Sequence, residues 1–376
     1  MSPLFSIIIP CYNQAIFLPD CLNSLLEQSF TDWEAIVVND GSTDNTNQVA
    51  IAYSQKDSRI KLLEKPNGGL SSARNFGIKN SIGARLIFLD ADDYLYSKYF
   101  FEIKNIINRA DNLTIIQCGY TYITEDKKQL LKSVNPSSKN SLIPYILTNS
   151  LGPCHTICIT RELCNRAGWF DEDLKSVEDW DYWIRVAKCG AKYLAIKKPL
   201  VYYRYTKNSM SRNGFIMYDA LKKVMQRAVK FDTRSISSSD LNKNYDIDNS
   251  AQLQSALIRS IGVSIMQGKI DESIKMFISE SIVPIKLLKP KEFELMCSYL
   301  TFRYWYTHDD IRDVFEKHYP NFKSFFEKAG YPKEFIHKAL YHIFKFHLFH
   351  KNIFRYGKPM ATFINYYFKK LEKISL

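Results

Sequence analysis

The sequence predicts an α/β protein: a doubly wound, mostly parallel central sheet flanked by helices over residues 1–214, then a mostly helical region over residues 215–376. Three observations carry this. Short β-branched apolar runs alternate with helical patterns, the sequence form of a parallel sheet. Each run ends in a polar turn rich in Gly, Asn or Asp, and ligands bind beyond the carboxyl ends of such strands. Past residue 215 glycines thin out, helical periodicity dominates and no strand-plus-acid pattern recurs.

Phe5–Pro10 is a buried first strand stopped by proline, and Ile16, Leu18, Cys21, Leu22, Leu25 and Leu26 mark one side of the helix that follows. Trp33–Val38 is a second strand, after which Ser42 or Thr43 is placed to cap a helix through Tyr53. Ile60–Leu63 is a third strand, followed by a glycine turn at Asn67-Gly68-Gly69 that opens another helix. Ile87–Leu89 is the fourth, and it runs into Asp90-Ala91-Asp92-Asp93.

Leu113–Cys118 and Thr156–Ile159 read as further strands, with residues 125–140 a polar surface excursion between them. Arg161–Ala167 is a short helix closed by Gly168. A helix starts near Glu178 and ends at Gly190, and Tyr193–Ile196 and Leu200–Tyr205 are closing strands. Gln252–Gln267, Lys269–Ile282 and Lys291–Tyr306 read as consecutive helices.

This reading places Tyr12-Asn13, Asp40, Asn67-Gly68-Gly69 and Asp90-Ala91-Asp92 on one edge of the sheet. Asp90 and Asp92 flank a small Ala91, so both can face one pocket as the chain leaves the sheet. Clustered carboxylates repel unless a cation neutralises them, and Mg²⁺ typically takes one or two carboxylates plus substrate phosphates. The alternative is a solvated turn.

Composition bounds the rest. A hydrophobic content of 46% excludes disorder, and 376 residues suit two domains. The net charge of +12 points to anionic partners. Eight cysteines without regular spacing read as reduced thiols; Cys154, His155, Cys158 and Cys164 lack the paired spacing of a zinc site. Met1-Ser2-Pro3 leads directly into the first strand, so no secretory signal is expected and the compartment is taken as cytoplasmic. Residues 341–376 interleave Phe and Tyr with Lys and Arg, and Glu372 is their only acid. That pattern suits a helix on the inner face of an anionic membrane or, equally, one packing its aromatics on the core.

Five pieces then resemble glycosyltransferase family 2 in order and spacing: Ser6–Asn13, Val37–Asp44, Asn67–Asn75, Phe88–Asp93 and Glu178–Asp181. The resemblance covers the first 214 residues and implies a GT-A fold. It also implies inverting, metal-dependent hexosyl transfer from a nucleotide sugar, preferably a UDP-sugar. The acceptor would be a hydroxyl of a glycan or lipid-linked molecule in surface polysaccharide synthesis.

By that resemblance Pro10, Tyr12 and Asp40 frame the nucleobase, with the Asp40 carboxylate accepting from uracil N3–H. Asn13, Asn67, Gly69, Arg74 and Ala91 line the donor. Asp90 contacts ribose or metal, and Asp92 holds Mn²⁺ or Mg²⁺. Glu178-Asp179 matches the catalytic pair with Asp179 the base, Asp181 being the alternative. Tyr205 stands where many members carry a metal-binding histidine, which leaves the metal on Asp92 and phosphate oxygens with Arg204 to assist the leaving group; His155 is a substitute ligand or, as a lone histidine more often is, structural. Two other classes remain: an inactive nucleotide-sugar-binding partner in a glycan-assembly complex, against which the intact carboxylates argue, and nucleic-acid binding, for which the basic tail lacks a motif.

Overall fold

The computed structural model describes residues 2–125, 127, 129–139, 141–206, 213–236, 239–284, 287–296, 311–336, 339–340 and 359. It divides into two compact units, one of residues 1–207 and 223–247 and the other of 208–222 and 248–376. The chain therefore passes between units more than once around the boundary expected at residue 214.

The first unit holds strands β1 (Phe5–Cys11), β2 (Trp33–Asp40), β3 (Ile60–Lys65), β4 (Arg85–Phe88) and β5 (Tyr94–Leu95). After these come β6 (Thr114–Thr124), β7 (Gln129–Val134), β8 (Ile157–Thr160) and β9 (Lys192–Tyr205). Its helices are α1 (Leu18–Leu26), α2 (Thr46–Lys56), α3 (Leu70–Lys79), α4 (Tyr99–Ile107), α5 (Tyr145–Thr148), α6 (Arg161–Ala167) and α7 (Glu178–Lys188). The sheet runs β3-β2-β1-β4-β8-β6-β9-β5, with β7 on β6. Strands β3, β2, β1 and β4 are parallel neighbours, β8 enters antiparallel between β4 and β6, and β9 runs parallel to β6. This is the α/β architecture expected.

Every residue of β1 and β2 is buried, because helices cover both faces of the parallel part and leave no side for polar alternation. On one face Leu18, Cys21, Leu22 and Leu25 of α1 and Phe100 and Ile103 of α4 pack on Phe5, Ile7, Ile9, Ala35 and Val37. On the other, Ala73 and Phe76 of α3 meet Ile36, Val38 and Leu63. Gly77 lets α3 approach so closely that a Cβ there would lie 2.4 Å from the Ile8 side chain.

Several expectations change in detail. The cap position of α2 is Asn45, not Ser42 or Thr43; it makes no side-chain cap, and Asp44 Oδ1 before it accepts from the Thr46 N–H at 3.0 Å. The surface excursion at 125–140 contains β7, which pairs antiparallel with β6. The two closing strands are one, β9, paired with β6 across register shifts near Gly119. Its neighbour β5 has only two residues, below the length at which alternation is visible in a sequence.

The second unit's described residues are helical. The long elements are α8 (Gly214–Ala228), which the division into units cuts, and then α9 (Ser250–Met266), α10 (Ile270–Glu280), α11 (Pro290–Met296) and α12 (Ile311–Lys328). Leu257, Ile261, Phe277, Phe293, Phe322, Phe325 and Phe326 form their core. The helix expected to reach Tyr306 is described only as far as Met296. The basic aromatic tail lies outside the described residues apart from Pro359.

Candidate active site

The loops after β1 and β2 are stitched together by side chains. Asn13 adopts the left-handed conformation (φ 54°), which an Asn tolerates. Its backbone N–H donates to Ser42 Oγ at 3.0 Å, and its Oδ1 accepts from the Thr43 N–H at 2.8 Å. Gln14 and Ala15 donate backbone N–H groups to Thr46 Oγ1 and Asp44 Oδ2. Tyr12 projects from this loop with half its surface exposed, while Pro10 is buried in β1. Tyr12 is thus available to a ligand's ring, whereas Pro10 shapes the backbone beneath it.

Asp40 has a structural task. One oxygen accepts from the Gly68 N–H at 3.0 Å and from Lys65 Nζ at 2.5 Å, and the other from the Gly69 N–H at 2.8 Å. These donors hold the turn carrying Asn67, which is exposed. Gly41 permits the approach: its φ is +73°, and a Cβ would stand 2.8 Å from the Asn67 nitrogen.

Arg74 is buried, not poised on a phosphate. It donates to Asp90 Oδ1 at 2.9 Å and to Glu178 Oε1 at 2.6 Å, and lies over the Phe170 ring. The guanidinium ties α3, the turn after β4 and the start of α7 into one structure. Charge-assisted pairs of this kind are rigid when both partners are fixed.

The carboxylates of the site differ in their surroundings. Burial alone raises Asp90, but Arg74 and then His155 outweigh it and hold the group at about 2. Asp93 and His155 are closed from solvent, with His155 Nδ1 2.9 Å from Asp93 Oδ2 and 3.9 Å from Asp90 Oδ2. Burial favours the neutral ring, yet Asp93 and Asp90 push His155 up to about 10, so it is an imidazolium at neutral pH. Asp92 has no cationic partner among the described residues; burial, then Asp93 and Asp90 beside it, push it well above the usual carboxylate range.

These surroundings fit a divalent cation at Asp92. Asp90 is matched by Arg74 and Asp93 by His155, so the uncompensated charge of the turn resides on Asp92. Asp90, Asp93 and His155 also offer ligand atoms within 4.8 Å of one another. Two of these three are fully buried, however, and the charged imidazole already stands in a cation's place. An ion that shares a substrate's phosphates needs open coordination positions, which half-exposed Asp92 and the 29% exposed Asp90 side chain provide.

Arg204, expected to assist a leaving group, is instead a buried rivet. Its backbone N–H donates to Asp93 Oδ1 at 2.6 Å and its Nε to the Asp92 carbonyl at 2.7 Å. The guanidinium also bonds the Glu125 carbonyl and Asp20 Oδ2. These contacts tie the Asp92-Asp93 turn, α1 and the chain at Glu125 together, and the guanidinium is committed to them. Tyr205 ends β9, and residues 207–212 of the loop after it lie outside the described residues.

Helix α7 opens with Glu178-Asp179 at its positive end. Val177 before them is left-handed (φ 51°), an outlier for a β-branched residue. Glu178 is committed to Arg74. Among the described residues the Asp179 carboxylate accepts only the Trp180 backbone N–H, at 2.7 Å. Burial first and Glu178 second raise it to about 7. The alternative base, Asp181, is excluded by its partners: Arg185 on the same helix and Arg234, which bonds both its oxygens at 3.0 and 2.9 Å.

Asp93 had no assigned role in the sequence reading, and His155 was offered only as a substitute for the metal-binding histidine that Tyr205 replaces. His155 is the first histidine of the chain, with the next at 308, and that isolation beside an acidic turn was the available signal. No cysteine metal cluster occurs among the described residues, and Cys154, Cys158 and Cys164 are buried thiols.

An α/β sheet whose strand ends gather an acidic turn and a separate carboxylate is the arrangement of a GT-A fold. The profile described as Glycosyl transferase family 2 matches residues 6–164. An uncharacterized glycosyltransferase, EpsJ of Bacillus subtilis, is 32% identical over 61% of this chain and 70% of its own. One from Rickettsia typhi is 36% identical over 58% of this chain and 70% of its own. The putative teichuronic acid biosynthesis glycosyltransferase TuaG of B. subtilis is 29% identical over 56% and 83%. Among solved structures, S. aureus TarS 1–349 in complex with UDP-GlcNAc aligns over 95% of this chain and 93% of that one, at 19% identity and a TM-score of 0.52. The chain belongs to glycosyltransferase family 2.

Proposed function

We propose that this glycosyltransferase transfers a hexose from a UDP-sugar, with inversion, to a hydroxyl of a glycan or lipid-linked acceptor in surface polysaccharide synthesis. The observation that carries this is Asp179 at the start of α7: a partly exposed carboxylate with no ion pair among the described residues, which burial and Glu178 raise to about 7. Arg74 and Glu178 hold its helix beside the Asp90 turn. At neutral pH such a group is partly ionised and still basic enough to take a proton, the balance general-base catalysis requires.

Asp179 accepts the proton of the acceptor hydroxyl as that oxygen attacks the anomeric carbon. Attack from the face opposite the departing diphosphate inverts the configuration. Asp92, with Asp90, would hold Mn²⁺ or Mg²⁺, and a bound ion would supply neutralisation of charge on the diphosphate. Tyr12 and the stitched loop at Asn13 receive the base, with Asp40 shaping the Asn67–Gly69 turn around the donor. Glu178 and Arg74 fix the helix that aims Asp179. The basic aromatic tail is assigned to the cytoplasmic face of an anionic membrane.

The test is hydrolysis of a panel of nucleotide sugars with Mn²⁺, with Mg²⁺ and with chelator. Metal-dependent turnover of one UDP-sugar, lost in Asp92→Asn, is expected. Equal turnover in chelator removes the metal from the account. Binding without turnover in the presence of acceptors would favour an inactive partner.

A further inference from the structure

Across the sheet, the loops follow strand order. The Tyr12, Asp40 and Asn67 turns follow β1, β2 and β3; the Asp90–Asp92 turn follows β4; beyond it lie β8, β6 and β9. Three tyrosines gather on β6 and β9. Tyr122 pairs directly with Tyr203, and Tyr120 is two residues before Tyr122 on the same face.

Their rings meet at 5.1 Å (Tyr120–Tyr122), 5.8 Å (Tyr120–Tyr203) and 5.3 Å (Tyr122–Tyr203). The Tyr203 ring also lies 5.1 Å from the His155 ring, and so beside the acidic turn. All three tyrosines are only half-buried, unlike the closed aromatic core of Phe88, Phe170 and Tyr182. Through Tyr203 the cluster adjoins His155 and the acidic turn, on the β6 and β9 side of the sheet.

We propose that Tyr120, Tyr122 and Tyr203 form the acceptor subsite, and that the acceptor presents a sugar ring there. This rests on the transferase reading above. A pyranose offers C–H groups on one face and hydroxyls on its rim. Tyrosine matches both, with an electron-rich ring face and a phenolic edge. Such a mix of aromatic walls and few polar groups is the usual lining of a small-ligand site. A phosphate recognised directly would need a cation, and Arg74 and Arg204, the buried arginines at the acidic turn, are both committed to carboxylates and carbonyls.

The experiment uses the full chain with UDP and Mn²⁺, and saturation-transfer NMR against a panel of methyl glycosides. Wild type is expected to saturate the ring C–H protons of at least one glycoside, and Tyr120→Ala with Tyr122→Ala to weaken its binding about tenfold. Tyr120→Phe with Tyr122→Phe keeps the ring faces and is expected to retain the contact, which also controls for folding. Donor hydrolysis without acceptor is measured on each variant and is expected to persist. No saturation of any glycoside, or unchanged binding in the alanine variant, overturns the subsite. Loss in the phenylalanine variant overturns stacking as its basis. If glycosides bind at the tyrosines while no donor is hydrolysed, the subsite stands and the transferase reading falls.

Discussion

Asp179 has two linked consequences at the scale of one residue. Its protonated form cannot act as a base, so transfer is expected to rise with pH and level off above about 7. Asp179→Asn should lower transfer by ~10³-fold, with donor binding retained in a titration. The same shift costs stability. A carboxyl raised in the folded state binds more protons there than in the unfolded chain. Its stability contribution is therefore full below the unfolded value near 3.8 and is lost as pH rises through about 7. Asp179→Asn is thus expected to be more stable than wild type at pH 8, by on the order of 2 kcal/mol after allowing for partial exposure, and equal to it near pH 3. A denaturant titration at both pH values checks the sign.

Among elements, the turn after β4 and the start of α7 carry the site, and each is held from behind. Arg204→Ala removes a buried cation that bonds Asp20 and two backbone carbonyls. Breaking such a pair costs about 3–5 kcal/mol, so urea unfolding should report a large loss of stability, where a leaving-group role would lower turnover in a stable fold. Val177 is the opposite case. A left-handed valine stores about 1 kcal/mol or more, so Val177→Gly should raise the melting temperature while slowing transfer, because the glycine frees the helix start that aims Asp179. An unchanged rate would separate the strain from catalysis.

What was legible in the sequence follows from the same physics. Strands β1, β2 and β4 announced themselves because burial on both faces demands uninterrupted apolar runs, whereas the edge strand β3 shows only a short one. Asp92 and Asp179 were singled out through the family resemblance of the local motifs that hold them. The tasks of Arg74, Arg204, Asp40 and Asp181 were not, because each depends on partners distant in sequence: Glu178 for Arg74, Asp20 for Arg204, Gly68 for Asp40, Arg234 for Asp181. A charged residue near a ligand motif reads as a ligand contact until its buried partner is known.

For the whole molecule, the first unit contains the complete set of site residues discussed, and the second adds helices packed on a phenylalanine-rich core. No described helix is long and apolar enough to cross a membrane. If the tail at 341–376 is the contact with anionic lipid, deleting it should abolish flotation with phosphatidylglycerol liposomes and leave donor hydrolysis intact; unchanged flotation would remove that assignment.

The central claim is a single displacement assisted by Asp179, and the anomer first released tests it most directly. Hydrolysis of an α-linked UDP-sugar, followed by proton NMR before mutarotation, is expected to yield the β-sugar, since water attacks opposite the diphosphate. First release of the α-sugar would show retention and contradict the account.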